Sequence, residues 1–142
     1  MRFLITAAPD PDRESLTPPP DAELIAAYMK FNEDMHKAGV LLASEGLSPT
    51  RKGVRVGVAR GRRTVLDGPF CETKELVGGF YLIEVRSLDE AIGWALRAPS
   101  GLGSDDILTI HPMTSAADIP EEMMKIITEA APTWSATFTR SR

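Results

Sequence analysis

The sequence predicts an α+β domain built as a two-layer sandwich: one antiparallel sheet with two helices on one face, an inserted β-hairpin and an extra C-terminal helix. Three observations predict it. Short apolar runs of strand character fall near residues 2–7, 40–46, 80–85 and 107–111. Two stretches with helical spacing of apolar residues lie between the first and second of these runs and between the third and fourth. A chain of 142 residues suits a single core of ordinary size.

Arg2 to Ala7 sets Phe3 and Ile5 against Leu4 and Thr6, a strand apolar on one face and partly so on the other. The polar, proline-rich run "PDPDRESLTPPPD" breaks it as a loop. From about Asp21, Leu24, Tyr28, Phe31, Met35 and Ala38 recur at spacings of four and three, flanked by Ile25 and Met29, and line one side of a helix. Gly39 closes that helix as the residue past its C-cap. "VLLASEGL" is a short strand ending at Glu45-Gly46. Val54, Val56 and Val58 alternate with Arg55 and Gly57, and "ARGRR" returns the chain into Thr64 to Leu66 as a two-stranded hairpin. Phe80 to Val85 is the next strand. Ser87-Leu88-Asp89-Glu90 reads as a capping box, in which the Ser hydroxyl and the Glu carboxylate satisfy each other's orphan backbone donors. The helix it opens carries Leu88, Ala91, Ile92 and Ala95 on one face, with Pro99 just beyond its end. A Gly/Ser loop leads to the strand Ile107 to His111. Asp118-Ile119-Pro120-Glu121 then has the form of a helix start, with Asp as cap and Pro in the first turn, followed by Met123, Ile126, Ile127, Ala130 and Ala131 on one side. Pro132 to Arg142 has no clear pattern.

Two β-α-β units side by side make a ferredoxin-like sandwich, with both main helices on one face of the sheet. The other face then needs a cover. If the first and third main strands are apolar on both sides, Leu4, Phe80 and Leu82, or their alternates Ile5, Tyr81 and Ile83, meet water. Each forgoes roughly 1.5 to 3 kcal/mol of burial, and four or five together forfeit a sum comparable to the whole stability of a domain, about 5 to 15 kcal/mol. A second copy of the sheet is the simplest cover and predicts a homodimer. The C-terminal helix is the competing cover and permits a monomer.

Composition excludes several classes. A net charge of -4 argues against a general nucleic-acid surface, which needs clustered cations to displace counterions from phosphate; Arg60 to Arg63 is read as a hairpin tip. One cysteine excludes an intrachain disulfide, and two histidines with one cysteine leave no zinc spacing, so no metal and no cofactor are expected. "MRFLITAA" is too short for a signal-peptide core or a membrane span, which predicts a cytoplasmic chain with no membrane association.

The most specific signal is "DGPFCETKELVGGFYLIEV" with the upstream "SEGL". Asp67, Gly68, Pro69, Phe70, Glu72, Thr73, Lys74, Glu75, Gly78 and Gly79 match the pattern of the DGPF branch of the YCII-related family, which this chain resembles over about residues 1 to 113. Residues 114–142 are then a C-terminal helical extension and tail. The resemblance implies a ferredoxin-like dimer of the dimeric α/β-barrel type, a function left open between enzyme and binding protein, and an association with extracytoplasmic-function sigma factors. Members nearer the YCII type are associated with an acid/base pair of an aspartate and a histidine near the start of the first helix. Here "PPPDAELIAAY" has no histidine, and the pair is not carried over.

Asp67-Gly68-Pro69 is first of all a turn, since Asp accepts backbone N–H groups and Gly before Pro is pushed to extended geometry. The functional reading is that this turn aims Asp67, Glu72 and Lys74 into a pocket at the sheet's edge, with Phe70 and Tyr81 as further binding residues. An Asp with an ordinary pKa of about 3.9 is suited to act as a base or a ligand, not as an acid. Glu72, Lys74 and Glu75 equally suit an exposed run. Glu45 follows "VLLAS", where period two puts it on the side of Leu41 and Ala43; a carboxylate there reaches a cavity rim or pairs with a cation. His111 ends the last strand on the face of Ile107 and Thr109. His36, between Met35 and Lys37, is read as solvent-facing, and Cys71 as packing in the motif's small-residue slot. Gly78-Gly79 marks a bulge or a close backbone approach, not a phosphate loop.

Three functions compete. One is an enzyme acting on a small polar or aromatic molecule by proton transfer, with Asp67, Glu45 and His111 as the candidate catalytic groups. The second is a non-catalytic ligand-binding or regulatory module working beside a sigma factor. The third is a structural dimer whose motif only fixes the fold.

Overall fold

The structure is a computed structural model and describes residues 1–7, 22–47, 54–66, 78–99 and 107–138. Its elements are β1 (Arg2–Ala7), α1 (Ala22–Lys37), β2 (Leu41–Gly46), β3 (Arg55–Ala59), β4 (Arg62–Leu66), β5 (Gly79–Glu84), α2 (Leu88–Leu96), β6 (Leu108–Pro112), a 3-10 turn (Ala116–Asp118), α3 (Glu121–Ala130) and α4 (Pro132–Ser135). Four strands form one sheet in the order β2-β5-β1-β6, and every neighbouring pair is antiparallel. β5 therefore lies between the parallel strands β1 and β2, and β1 between β5 and β6. This is the interleaved order of two split β-α-β units expected of a ferredoxin-like sandwich.

Alternation along β1 sorts its side chains between two faces. Phe3 and Ile5 are buried, and with Ile83 and Val85 they meet Phe31 and Met35 of α1 and Ala91 of α2 in one core. α1 ends where the sequence places its stop. Gly39 takes φ +74, its N–H bonds to the His36 carbonyl, and the Val40 N–H bonds to the Met35 carbonyl. That pair of bonds is a Schellman closure, with Met35 and Val40 both in the core beside it. Ala38, expected on the apolar row, is exposed because it lies in the closing turn.

Ser87 caps α2 as expected, accepting the Glu90 N–H at 3.1 Å. The reciprocal half differs: the Glu90 carboxylate accepts the N–H of Arg86, not of Ser87, at 2.9 Å, and also holds the Arg86 side chain. The buried stripe of α2 is centred on Ala91 with Ala95 and Trp94, leaving Leu88 and Ile92 on its flank, 46% and 39% exposed. The small alanines let the helix lie close to the sheet, and Trp94 reaches Phe31 at 6.5 Å between ring centroids.

β3 and β4 pair as a separate two-stranded sheet. Arg60 (φ 52) and Gly61 (φ 75) form the two-residue, double positive-φ turn that matches the twist of a hairpin. At the C-terminal end, Asp118 does not cap α3. Its carboxylate turns back to accept the backbone N–H and the hydroxyl of Ser115, closing the 3-10 turn, and Pro120 occupies the N-cap position of α3. α3 buries none of its residues completely, and Met124 and Ile127 are its half-buried side chains.

Candidate functional site

The face of the sheet turned away from the helices carries Leu4, Phe80 and Leu82, half-buried and outside the core cluster. Its side chains lie in rows across the strands. One row runs Glu45, Phe80, Thr6, Thr109, and the next Ala43, Leu82, Leu4, His111. Arg2 and Glu84 sit opposite one another a further step along.

Glu45 reaches this face through an irregularity. The pairing of β2 with β5 slips between Leu41 and Ala43, so Leu41 faces Ile83 on the helix side while Ala43 and Glu45 face Leu82 and Phe80 on the open side. The expectation that Glu45 shares a side with both Leu41 and Ala43 is corrected: it keeps company with Ala43 alone. Ser44, between them, points to α1 and donates to Asn32 Oδ1 at 3.4 Å. Gly79 lets the strands meet here, since a Cβ on it would lie 2.9 Å from the Glu45 carbonyl oxygen. The close-approach reading of Gly78-Gly79 thus describes Gly79.

His111 lies on the same open face as Thr109, and its Nε2 is 3.2 Å from the Thr6 hydroxyl on the adjacent strand. Thr6 had no signal in the sequence beyond its place in an alternating strand. Glu45 is not beside this pair, because β2 and β6 are the two edges of the sheet, three strand spacings or about 14 Å apart. Tyr81 points the other way: it faces the helices, and its ring stands edge-on to Phe31 at 5.5 Å. Asp67, Phe70, Glu72 and Lys74, with Cys71 and Glu75, lie outside the described residues, but Gly78 marks where their segment rejoins the sheet. Its N–H bonds to the Ala7 carbonyl and its carbonyl accepts the Leu47 N–H, at the Glu45 end of the open face. His36 is exposed on α1.

Among the described residues no cluster of three His, Cys, Asp or Glu side chains is placed to hold a metal ion. Among the described residues, two shallow hollows lie on the helices, one along α3 and one beside Glu90, Trp94 and Arg97 of α2 and its end, where the Arg97 guanidinium stacks 4.2 Å over the Trp94 ring. The Asp34 pKa is lowered by its hydrogen bond from Lys30, that of Glu90 by the Arg86 N–H and side chain, and that of Asp118 by the Ser115 N–H and hydroxyl.

A model of the YCII-related domain matches residues 1–113. The chain belongs to the YCII-related family. This YCII-related chain is 42% identical over 91 residues to an uncharacterized protein of Rhizobium meliloti (strain 1021), covering 64% of its own length and 70% of that protein. Among solved structures it is similar to a 5-chloro-2-hydroxyhydroquinone dehydrochlorinase from Burkholderia phenoliruptrix AC1100 in complex with 2,5-dihydroxybenzoquinone. That likeness is at 15% identity and TM-score 0.39, over 84% of this chain and 100% of the other. No described helix is long and apolar enough to cross a membrane.

Proposed function

We propose that this YCII-related chain binds and processes a small polar or aromatic molecule on the open face of its sheet, in a pocket completed when a second copy covers that face. The observation that carries the reading is the Thr6–His111 pair set at the side of a half-buried apolar surface outside the core. Imidazole is the side chain whose ordinary pKa, about 6.5, lets it take or give a proton near neutrality. Thr6 holds one ring nitrogen and leaves Nδ1 for a ligand, which suits general acid/base work. Leu4, Leu82 and Phe80 supply an apolar floor on which a ring can lie. Asp67, Glu72, Lys74 and Phe70 belong to a segment that rejoins the sheet beside Glu45 and are proposed as the rim of the same pocket.

A thermal-shift screen of small phenols, hydroxy acids and amines tests the reading. A ligand found this way should bind His111→Asn at least about tenfold more weakly, while the melting temperature of the free variant stays within a few degrees of wild type. Consumption of that ligand by wild type and not by His111→Asn identifies an enzyme; binding without turnover identifies a sensor. Equal binding by His111→Asn, Thr6→Val and Asp67→Asn contradicts the site.

A further inference from the structure

Each strand of the four-stranded sheet carries one acidic or basic side chain, and all four are on the open face. The acids, Glu45 and Glu84, are on β2 and β5; the bases, Arg2 and His111, are on β1 and β6. The face is thus split along its length into an acidic and a basic half, with Leu4, Leu82 and Phe80 between them. A two-fold contact joins a surface to itself, so charge decides which axis is allowed. An axis perpendicular to the strands lays β2 on β2 and β6 on β6, acid on acid. An axis parallel to the strands, midway between the two sheets, lays β2 over β6 and β5 over β1, acid on base.

Resting on the reading that a second copy covers this face, we infer that the two copies are related by an axis parallel to the strands, and that Glu45 completes the site at His111 of the partner subunit. Glu84 then faces Arg2 of the partner subunit. Glu45 lies one row from the partner's His111, opposite the partner's Thr109. Packed sheets are about 10 Å apart and cross at about 30°, so a Glu and a His side chain reaching from opposite sheets span the gap. The same axis lays Leu82 over Leu4 of the partner subunit and closes the apolar centre. α3 is the poorer occupant: Glu121, Glu122 and Glu129 against the single Lys125 suit only the basic half.

His111 reports the contact. Among the described residues of its own chain, the charged neighbour on the open face is Arg2 of β1, two positions along from Leu4. Asp89 and Glu90 of α2 lie with their helix across the sheet, with Glu90 held by Arg86. A carboxylate arriving from the partner therefore raises the His111 pKa.

The test is NMR titration of the imidazole signals, with His36 as the internal reference and sedimentation run in parallel. In Glu45→Gln the His111 pKa should fall by about half a unit or more while that of His36 stays put. Labelled Glu45→Gln mixed with excess unlabelled wild type should recover the wild-type value, because its His111 now meets a partner's carboxylate. Labelled wild type mixed with excess unlabelled Glu45→Gln should lose it. A His111 pKa that follows residue 45 of its own chain, or that ignores residue 45 in a protein that dimerises, overturns this inference and leaves the sheet-face pocket standing. A protein that stays monomeric throughout the titration overturns both.

Discussion

Gly79 shows how a missing methyl group positions an acid. Because the Glu45 carbonyl occupies the space a Cβ would need, Gly79→Ala must push β2 away from β5. Urea unfolding should show a loss of about 1 to 3 kcal/mol, the usual cost of overpacking. Gly39→Ala tests the positive φ at the end of α1 and should cost about 1 to 2 kcal/mol in the same assay. The charged residues make a pH prediction. Asp34, Glu90 and Asp118 are held below their ordinary values of 3.8, 4.5 and 3.8 in the folded chain. Their contribution to stability is therefore complete above those values and is lost as pH falls through the lower, folded ones. The melting temperature should decline below about pH 4.5, and Glu90→Gln should show a shallower decline than wild type. At this scale the sequence was an uneven guide. Gly39 and Gly79 announce themselves, since few residues tolerate their positions. The register slip that moves Glu45 across the sheet lies in "LLAS", which holds no Gly or Pro to signal a bulge.

Among the elements, the strands and the two main helices were legible because their apolar periods are long enough to be unambiguous. Phe31 and Met35 mark the buried side of α1, and Met35→Ala should cost about 2 to 5 kcal/mol, since its side chain is completely enclosed. The cap of α2 was legible in Ser87 but not in the reach of Glu90, which bonds one residue further back than the motif specifies. Ser87→Ala should cost about 1 kcal/mol, read as a lower urea midpoint. The start of α3 misled because Asp118 has a competing partner: its carboxylate is within 2.8 Å of both Ser115 donors, so it is engaged before the helix begins. Small alanines at 91 and 95 drew α2 inward and left its larger Leu88 and Ile92 at the flank, a choice between packing arrangements that spacing alone does not make.

For the whole molecule, the order β2-β5-β1-β6 follows from two β-α-β units, and α1 and α2 share the core on one face of the sheet. The need to cover the other face was legible in the apolar character of both sides of β1 and β5. The pairing of His111 with Thr6, and the separation of Glu45 from them, became visible only with the strand order, because they depend on which strands are neighbours. The proposed pocket requires that half-buried surface to be an interface. Replacing Leu82, at its centre, with Asp should leave the helix-side core intact and abolish association. Sedimentation equilibrium at micromolar concentration is the direct measurement. Wild type should sediment at twice the 15.5 kDa chain mass and Leu82→Asp at the chain mass; a wild-type protein that remains a single 15.5 kDa species contradicts the account.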